Sequence, residues 1–405
     1  MKTLNKIIIT RMDSRILTAA VSGNRVTQLN LEAEETGSVL GNIYIGKVKN
    51  ISKNIDSAFI DLGGGHMAYY SLTENRNHLF SSASAGSGRK RGLCSGDEII
   101  VQVSRDAIKT KDPVVTSCLS FTGKYCVVTA GRCQIGFSSK ISDGEWKNRL
   151  RKILEEEKDP DLGIIIRTNA RTAPESEIIK ELRQLKEQYR RLLSEAPYRT
   201  CYSCLYESPP SYIASLRDTY EAFMEEIVTD DPEIFRRIRE YLDVCQPEDR
   251  EKVRLYEDPL LPLEKLYSLE KAVSEALQKK VWLRSGGYLV IEPTEAMTVI
   301  DVNSGKYTGR KNLRDTIRKI NLEAAEEIVF QLRLRNLSGI IIVDFIDMDS
   351  VQDQEELMAL LTDRCRKDPI KTTVVDMTKL GLVEITRKKI RRPFREQVQK
   401  GEQKT

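Results

Sequence analysis

LVIEPTEAMTVIDVN, residues 289–303, and IIIVDFID, residues 340–347, decide how this chain is read. Each is a short β-branched run that ends in an acid, and a helix-length segment separates them. That pattern predicts neighbouring strands of an α/β layer, with Asp301 and Asn303 at the mouth of one buried strand and Asp344 at the mouth of the other. A single Asp there is most simply a turn cap. Two, with an amide two residues beyond the first, form a hard-oxygen set suited to a divalent cation that also meets phosphate. Asn303 cannot usefully accept a proton and is better placed to orient a carboxylate. Lys306 or Arg310 could offset phosphate charge, and Asp347 is either a supporting acid or a cap on the approach to the next helix. The chain's two His, 66 and 78, lie far from this region, so metal-assisted hydrolysis fits better than a His-based proton relay.

Between the acids, Gly305, Lys306 and Gly309 form a basic loop, and a helix is expected at about 313–335 with Ile317, Ile320, Ala324 or Ala325, Ile328 and Leu332 as its buried stripe. A helix at 353–367, a strand at 372–376 and a basic segment follow. Upstream, NKIIIT and SRILTAAV read as a strand pair or short meander at 5–31. IYIGKV, SAFIDL, MAYYSL and EIIVQV, within 43–103, read as a small barrel of the oligonucleotide-binding kind. Phe59 and Tyr69 or Tyr70 are its candidates for stacking on bases, against the simpler reading that they fill its core. YCVVTA and GIIIRTNA are strands, and Arg167 and Thr168 leave the second as a fork and a hydroxyl able to meet phosphate. A charged helix is expected at 174–195, and 211–280 reads as mainly helical, with a start at Pro232 and another helix at 264–280.

A length of 405 residues implies several domains, and 40% hydrophobic with 31% charged residues fits a soluble globular protein. The net charge of +4 says less than its distribution: basic residues gather at 89–91, 308–319 and 387–392, as on a polyanion-binding surface, although solvated helix faces account for part of this. No run is long enough to span a membrane, and MKTLNKIIIT reads as a first strand, not a signal peptide. Eight irregularly spaced Cys suggest reduced thiols and a cytoplasmic setting. Cys201 and Cys204 form a CxxC, but no second pair and no nearby His completes a zinc site.

GNIYIGKVKNI at 41–51, AFIDLG at 58–63, LGIIIRTNA at 162–170, IEPTEAMTVIDVNSGKYTG at 291–309, NLEAAEEIVFQLRLRNLSGIIIVDFIDM at 321–348 and GLVEITRKK at 381–389 together closely resemble the catalytic core of the ribonuclease E/G family. The resemblance implies an α+β multidomain fold. Residues 1–40 and 213–280 would form a degenerate RNase H-like domain, with an S1 barrel inserted at 41–122 and a 5′-sensor region at 123–212. A DNase I-like catalytic subdomain would occupy 281–405. It further implies a Mg²⁺-dependent endoribonuclease, with Mn²⁺ able to substitute, cleaving single-stranded RNA to 5′-phosphate and 3′-hydroxyl ends in rRNA or tRNA processing or mRNA decay. Asp301 and Asp344 would bind the metal and Asn303 orient the site. Arg167, Thr168 and the weaker match Lys371 would sense a 5′-monophosphate, and Phe59, Tyr69 and Lys111 would contact RNA. Family members usually continue into a CPxC motif whose cysteines share zinc between subunits. GLVEITRKKIRRPFREQVQKGEQKT carries neither Cys. The expectation is therefore no structural zinc, a monomer or a dimer not linked by zinc in place of the family tetramer, and a likeness to the compact ribonuclease G branch. The alternative from another class is a noncatalytic RNA-binding protein that keeps the S1 and sensor surfaces.

Overall fold

The computed structural model describes residues 5–33, 39–81, 92–105, 112–131, 133–218, 224–305 and 313–402. It is an α+β fold of two compact units, one built from 1–35, 223–240 and 249–405, the other from 36–222 and 241–248.

Strands β1 (Asn5–Met12), β2 (Arg15–Ser22) and β3 (Arg25–Ala33) form the expected meander, with a third strand added to the pair. The second unit opens with β4 (Ile43–Ser52), β5 (Ser57–Asp61), β6 (Met67–Ser71), β7 (Glu98–Arg105) and β8 (Val114–Thr116). These pair in the order β4–β5–β6–β8–β7, and β7 pairs back onto β4, so five strands close into a barrel. Ala58, Ile60, Ala68, Tyr70, Val101 and Val103 fill the interior; Phe59 and Tyr69 between them are half-buried on the other face, while Ile100 of β7 is buried in the neighbouring core.

Beyond the barrel, β9 (Ser120–Thr122), β10 (Cys126–Ala130), β11 (Ile135–Phe137) and β12 (Leu162–Ile166) make a four-stranded sheet in the order β11–β12–β10–β9. Helices α1 (Gly144–Glu156) and α2 (Glu175–Glu195) cover it with Trp146, Leu150, Leu154, Ile178, Leu182 and Leu192. Asp143 caps α1 by accepting from the Trp146 amide. Strand β13 (Cys204–Tyr206) pairs with β4, and α3 (Ser211–Asp218) follows.

The stretch 211–280 is less helical than its sequence suggests. After α3, β14 (Met224–Thr229) pairs parallel to β1, and beyond α4 (Pro232–Cys245) β15 (Val253–Leu255) pairs parallel to β14. The meander thereby becomes the five-stranded sheet β15–β14–β1–β2–β3. The two Glu of MEEIVT mask the β-branched Ile-Val-Thr that β1 buries. The expected helix at 264–280 is two pieces, α5 (Leu263–Leu266) and α6 (Leu269–Leu277), because Ser268 sits left-handed at φ 51°. Lys280 already belongs to a strand.

The remaining elements are β16 (Lys280–Trp282), β17 (Tyr288–Pro293), β18 (Met297–Asn303), α7 (Leu313–Leu334), β19 (Gly339–Asp344), α8 (Val351–Arg366), β20 (Thr372–Met377), β21 (Leu382–Arg387) and α9 (Phe394–Glu402). The six strands pair in the order β16–β17–β18–β19–β21–β20. The segment expected to be only basic therefore holds a strand, inserted between β19 and β20, and a helix whose Phe394 is fully buried beside Leu17 and Leu31. Leu289, Ile291, Ile300, Val302, Ile341, Val343, Val383 and Ile385 share a core with Ala324, Ile328 and Leu332 of α7 and Leu357 and Leu361 of α8. Ile317 is only half-buried.

Candidate active site

Strand β18 alternates strictly, with Thr298, Ile300 and Val302 buried and Met297, Val299 and Asp301 exposed. The run is therefore covered on one side only, where the sequence suggested a buried strand. Asp301 lies on the open face, where the parallel register sets it directly opposite Asp344 of β19, also exposed. Residues opposite each other on adjacent strands carry side chains on the same face about 5 Å apart. Asn303 follows Asp301 by two and shares that face; its Nδ2 donates to Asp301 Oδ2 at 2.7 Å. That contact ties the amide to one of the two carboxylates.

Three contacts that the sequence did not expose hold this arrangement. Asn321 of α7 is fully buried; its Nδ2 donates to the Ile346 carbonyl at 2.7 Å, and its Oδ1 accepts from the Ile346 amide at 3.2 Å. One side chain thus pins both groups of a residue two beyond Asp344. Two residues along the helix, Glu323 accepts from the Arg284 and Ser285 amides at 2.6 and 3.1 Å, fixing the turn between β16 and β17. Gly305, at φ 63°, lies against that turn so closely that a Cβ would stand 2.4 Å from the Gly286 carbonyl oxygen. The signal was a polar residue, Asn321, inside an apolar helix stripe. Asp347 is exposed in the loop after β19, and Ser350, not Asp347, caps α8 by accepting from the Asp353 amide.

Two carboxylates, with the remaining positions open to water and phosphate, make a donor set that fits Mg²⁺, which keeps several waters. Among the described residues no three His, Cys, Asp or Glu gather as a metal-holding group. Lys306, Arg310 and Lys111 lie outside the described residues. The basic clusters are partly spent on structure. Arg314 pairs with Asp353 at 2.8 Å and Arg318 with Glu356 at 2.6 Å, tying α7 to α8. Arg387 is buried against Asp368 at 2.7 Å and also donates to the Leu337 carbonyl.

In the barrel, Phe59 and Tyr69 are cross-strand partners, half-buried on the outer face, with ring centroids 6.3 Å apart and edge to face. Tyr70 is core: its hydroxyl donates to Ser117 Oγ at 3.0 Å and meets His78 Nδ1 at 2.8 Å. Burial pushes the Tyr70 hydroxyl up and the His78 imidazole down from their ordinary values. Of the two Tyr weighed, only Tyr69 faces outward.

At the end of β12, Arg167 is half-buried and donates through Nη1 to the Gly123 carbonyl at 2.5 Å. The Thr168 hydroxyl lies 3.1 Å from that of Ser138. The 123–126 turn is itself clamped by Glu181, whose carboxylate accepts from the Lys124, Tyr125 and Cys126 amides at 2.7–2.9 Å. Lys371 belongs to the other unit, exposed just before β20, its carbonyl accepting from the Lys388 amide. Cys201 and Cys204 are free, and burial raises both thiols, which opposes a reactive thiolate at that CxxC. No helix among the described residues is long and apolar enough to cross a membrane.

The sequence pattern of the Ribonuclease E/G family matches residues 120–390. Ribonuclease G of Haemophilus influenzae is 34% identical over 393 residues, covering 95% of this chain and 79% of that protein. Ribonuclease G of Escherichia coli is 32% identical over 391 residues, again 95% and 79%. Ribonuclease E of Synechocystis is 36% identical over 358 residues, 87% of this chain and 53% of that protein.

Proposed function

The chain belongs to the ribonuclease E/G family, and from that premise we propose that it is a Mg²⁺-dependent endoribonuclease acting on single-stranded RNA. The observation that carries the reading is the opposition of Asp301 and Asp344 on an open sheet face, with Asn303 orienting the first. Asp301 and Asp344 would hold the ion, which when bound supplies positive charge against the phosphoryl oxygens and fixes a water for in-line attack. The chain's own part is to keep two carboxylates in register, and Asn321 and Glu323 of α7 brace the loops around them. The water oxygen bonds to phosphorus as the bond to the 3′-oxygen breaks. A proton passes to that oxygen, leaving a 5′-phosphate and a 3′-hydroxyl.

In this reading the closed barrel is the S1 element, with Phe59 and Tyr69 offering their outer faces to bases and Lys111 close to the RNA path. The sheet of three antiparallel strands extended by two parallel ones is the RNase H-like part, and β16–β21 with α7 and α8 the DNase I-like part. Arg167 and Thr168 would read a 5′-monophosphate.

The deciding experiment incubates purified protein with a single-stranded RNA in Mg²⁺ and identifies the product ends. Cleavage leaving 5′-phosphates, lost in Asp301→Asn and in Asp344→Asn while RNA binding persists, is the expected result. Full activity of either variant would overturn the assignment.

A further inference from the structure

The open face that carries the acids also carries an aromatic pair. Trp282 of the edge strand β16 is opposite Tyr288 of β17, and Tyr288 is opposite Asn303 of β18. Directly opposite residues share a face, so Trp282, Tyr288 and Asn303 form one row across the sheet. In the next row Lys280, Val290, Asp301 and Asp344 are likewise opposite one another. Trp282 is 65% exposed, although it is the chain's largest side-chain type and a short step from the sheet's own core. Its ring centroid is 5.3 Å from that of Tyr288, and the Lys280 ammonium lies 4.1 Å from the Trp282 centroid and 3.6 Å from that of Tyr288. A cation over two tilted rings holds the pair in place.

Isolated exposed aromatics need no explanation. This one stands two strands from Asn303, about 10 Å at ordinary strand spacing, in a row that ends beside the carboxylates. Single-stranded nucleic acids are gripped by aromatic faces that stack on bases, with cations beside them for the backbone. We propose that Trp282, Tyr288 and Lys280 form a base-stacking subsite for single-stranded RNA. It takes the base of a nucleotide flanking the phosphate held at Asp301 and Asp344. The inference rests on the nuclease reading for its position, but not for its ability to bind.

The test separates the two. The protein has two Trp, and Trp146 is buried in the other unit, so an RNA-induced change in exposed Trp emission reports Trp282. A short single-stranded oligoribonucleotide is titrated in EDTA, where the proposed hydrolysis cannot proceed. Expected are quenching of the exposed emission, binding weakened on the order of tenfold or more in Trp282→Ala, and recovery in Trp282→Phe. An abasic residue at the flanking position should weaken binding to the wild type but add little to the loss in Trp282→Ala. Equal binding by wild type and Trp282→Ala overturns the proposal. So does emission that shifts with protein concentration without RNA, which assigns the face to a second copy of the chain. Quenching and the Trp282→Ala loss in a protein that fails to cleave RNA in Mg²⁺ would sustain the subsite and remove the hydrolytic reading alone.

Discussion

Replacing Asn321 by Leu keeps the approximate size of a fully buried side chain and removes both of its hydrogen bonds to Ile346. The two peptide groups left behind cost about 1–3 kcal/mol each if they stay dry. Burial of the new apolar side chain returns roughly 1.5–3 kcal/mol, and Ile346, being half-buried, recovers part of the rest through water. The net loss of stability is then about 1–3 kcal/mol. The sharper consequence is local: the loop after β19 gains freedom at the residue two beyond Asp344, so the carboxylate pair is held less firmly. Urea unfolding measures the first effect, and the Mg²⁺ concentration giving half-maximal RNA cleavage measures the second. Ile328→Ala, in the same helix but facing the core, is the control, expected to lose about 2–5 kcal/mol with an unchanged Mg²⁺ response. If Asn321→Leu also leaves that response unchanged, the clamp does not act on the acids and the reasoning fails.

Arg167→Gln should slow cleavage of 5′-monophosphorylated RNA roughly tenfold or more, the scale of charge-assisted hydrogen bonds, with a smaller effect on a matched 5′-hydroxyl substrate. Equal losses on the two, with folding intact, would reduce Arg167 to a brace on the Gly123 turn. His78 is held neutral chiefly by burial, so its folded pKa lies below the ordinary 6.5. In the window beneath 6.5 the unfolded chain binds the extra proton more readily, and the stability of the barrel unit should fall as pH drops through it. Thermal unfolding of wild type and His78→Gln between pH 7.5 and 5 checks this; an undiminished slope in the variant would assign the effect to other groups.

The parts of the site legible in the sequence were those written in local pattern. Short β-branched runs ending in an acid located β18 and β19, while the period of two that sets Asp301 and Asn303 on one open face came only with the structure. What stayed hidden was set by distant partners. MEEIVT reads as helix until β1 offers it a parallel neighbour, and GLVEITR reads as a basic tail until β19 and β20 leave a gap between them. Arg387 looked like part of a phosphate-binding run, yet Asp368, nineteen residues away, buries it. Trp282 carried no pattern, since its meaning lies in which strands flank it.

The insertion of β21 beside Asp344, and the seating of α9 on the meander, bear on the order in which the molecule can be made. Leu31 donates its amide to the Gln397 side chain, and Arg15 donates to the carbonyls of Gln397 and Val398. A ribosome adding residues at ordinary rates takes roughly 20–70 s to pass from the meander to that helix. Until then the meander has no Phe394 to close its core, and the strand bearing Asp344 is an uncovered edge. The barrel unit, drawn almost entirely from one continuous stretch, has no such wait. A growing chain therefore owns a finished barrel well before β21 covers the strand that bears Asp344, so the two units reach completion at different moments of synthesis.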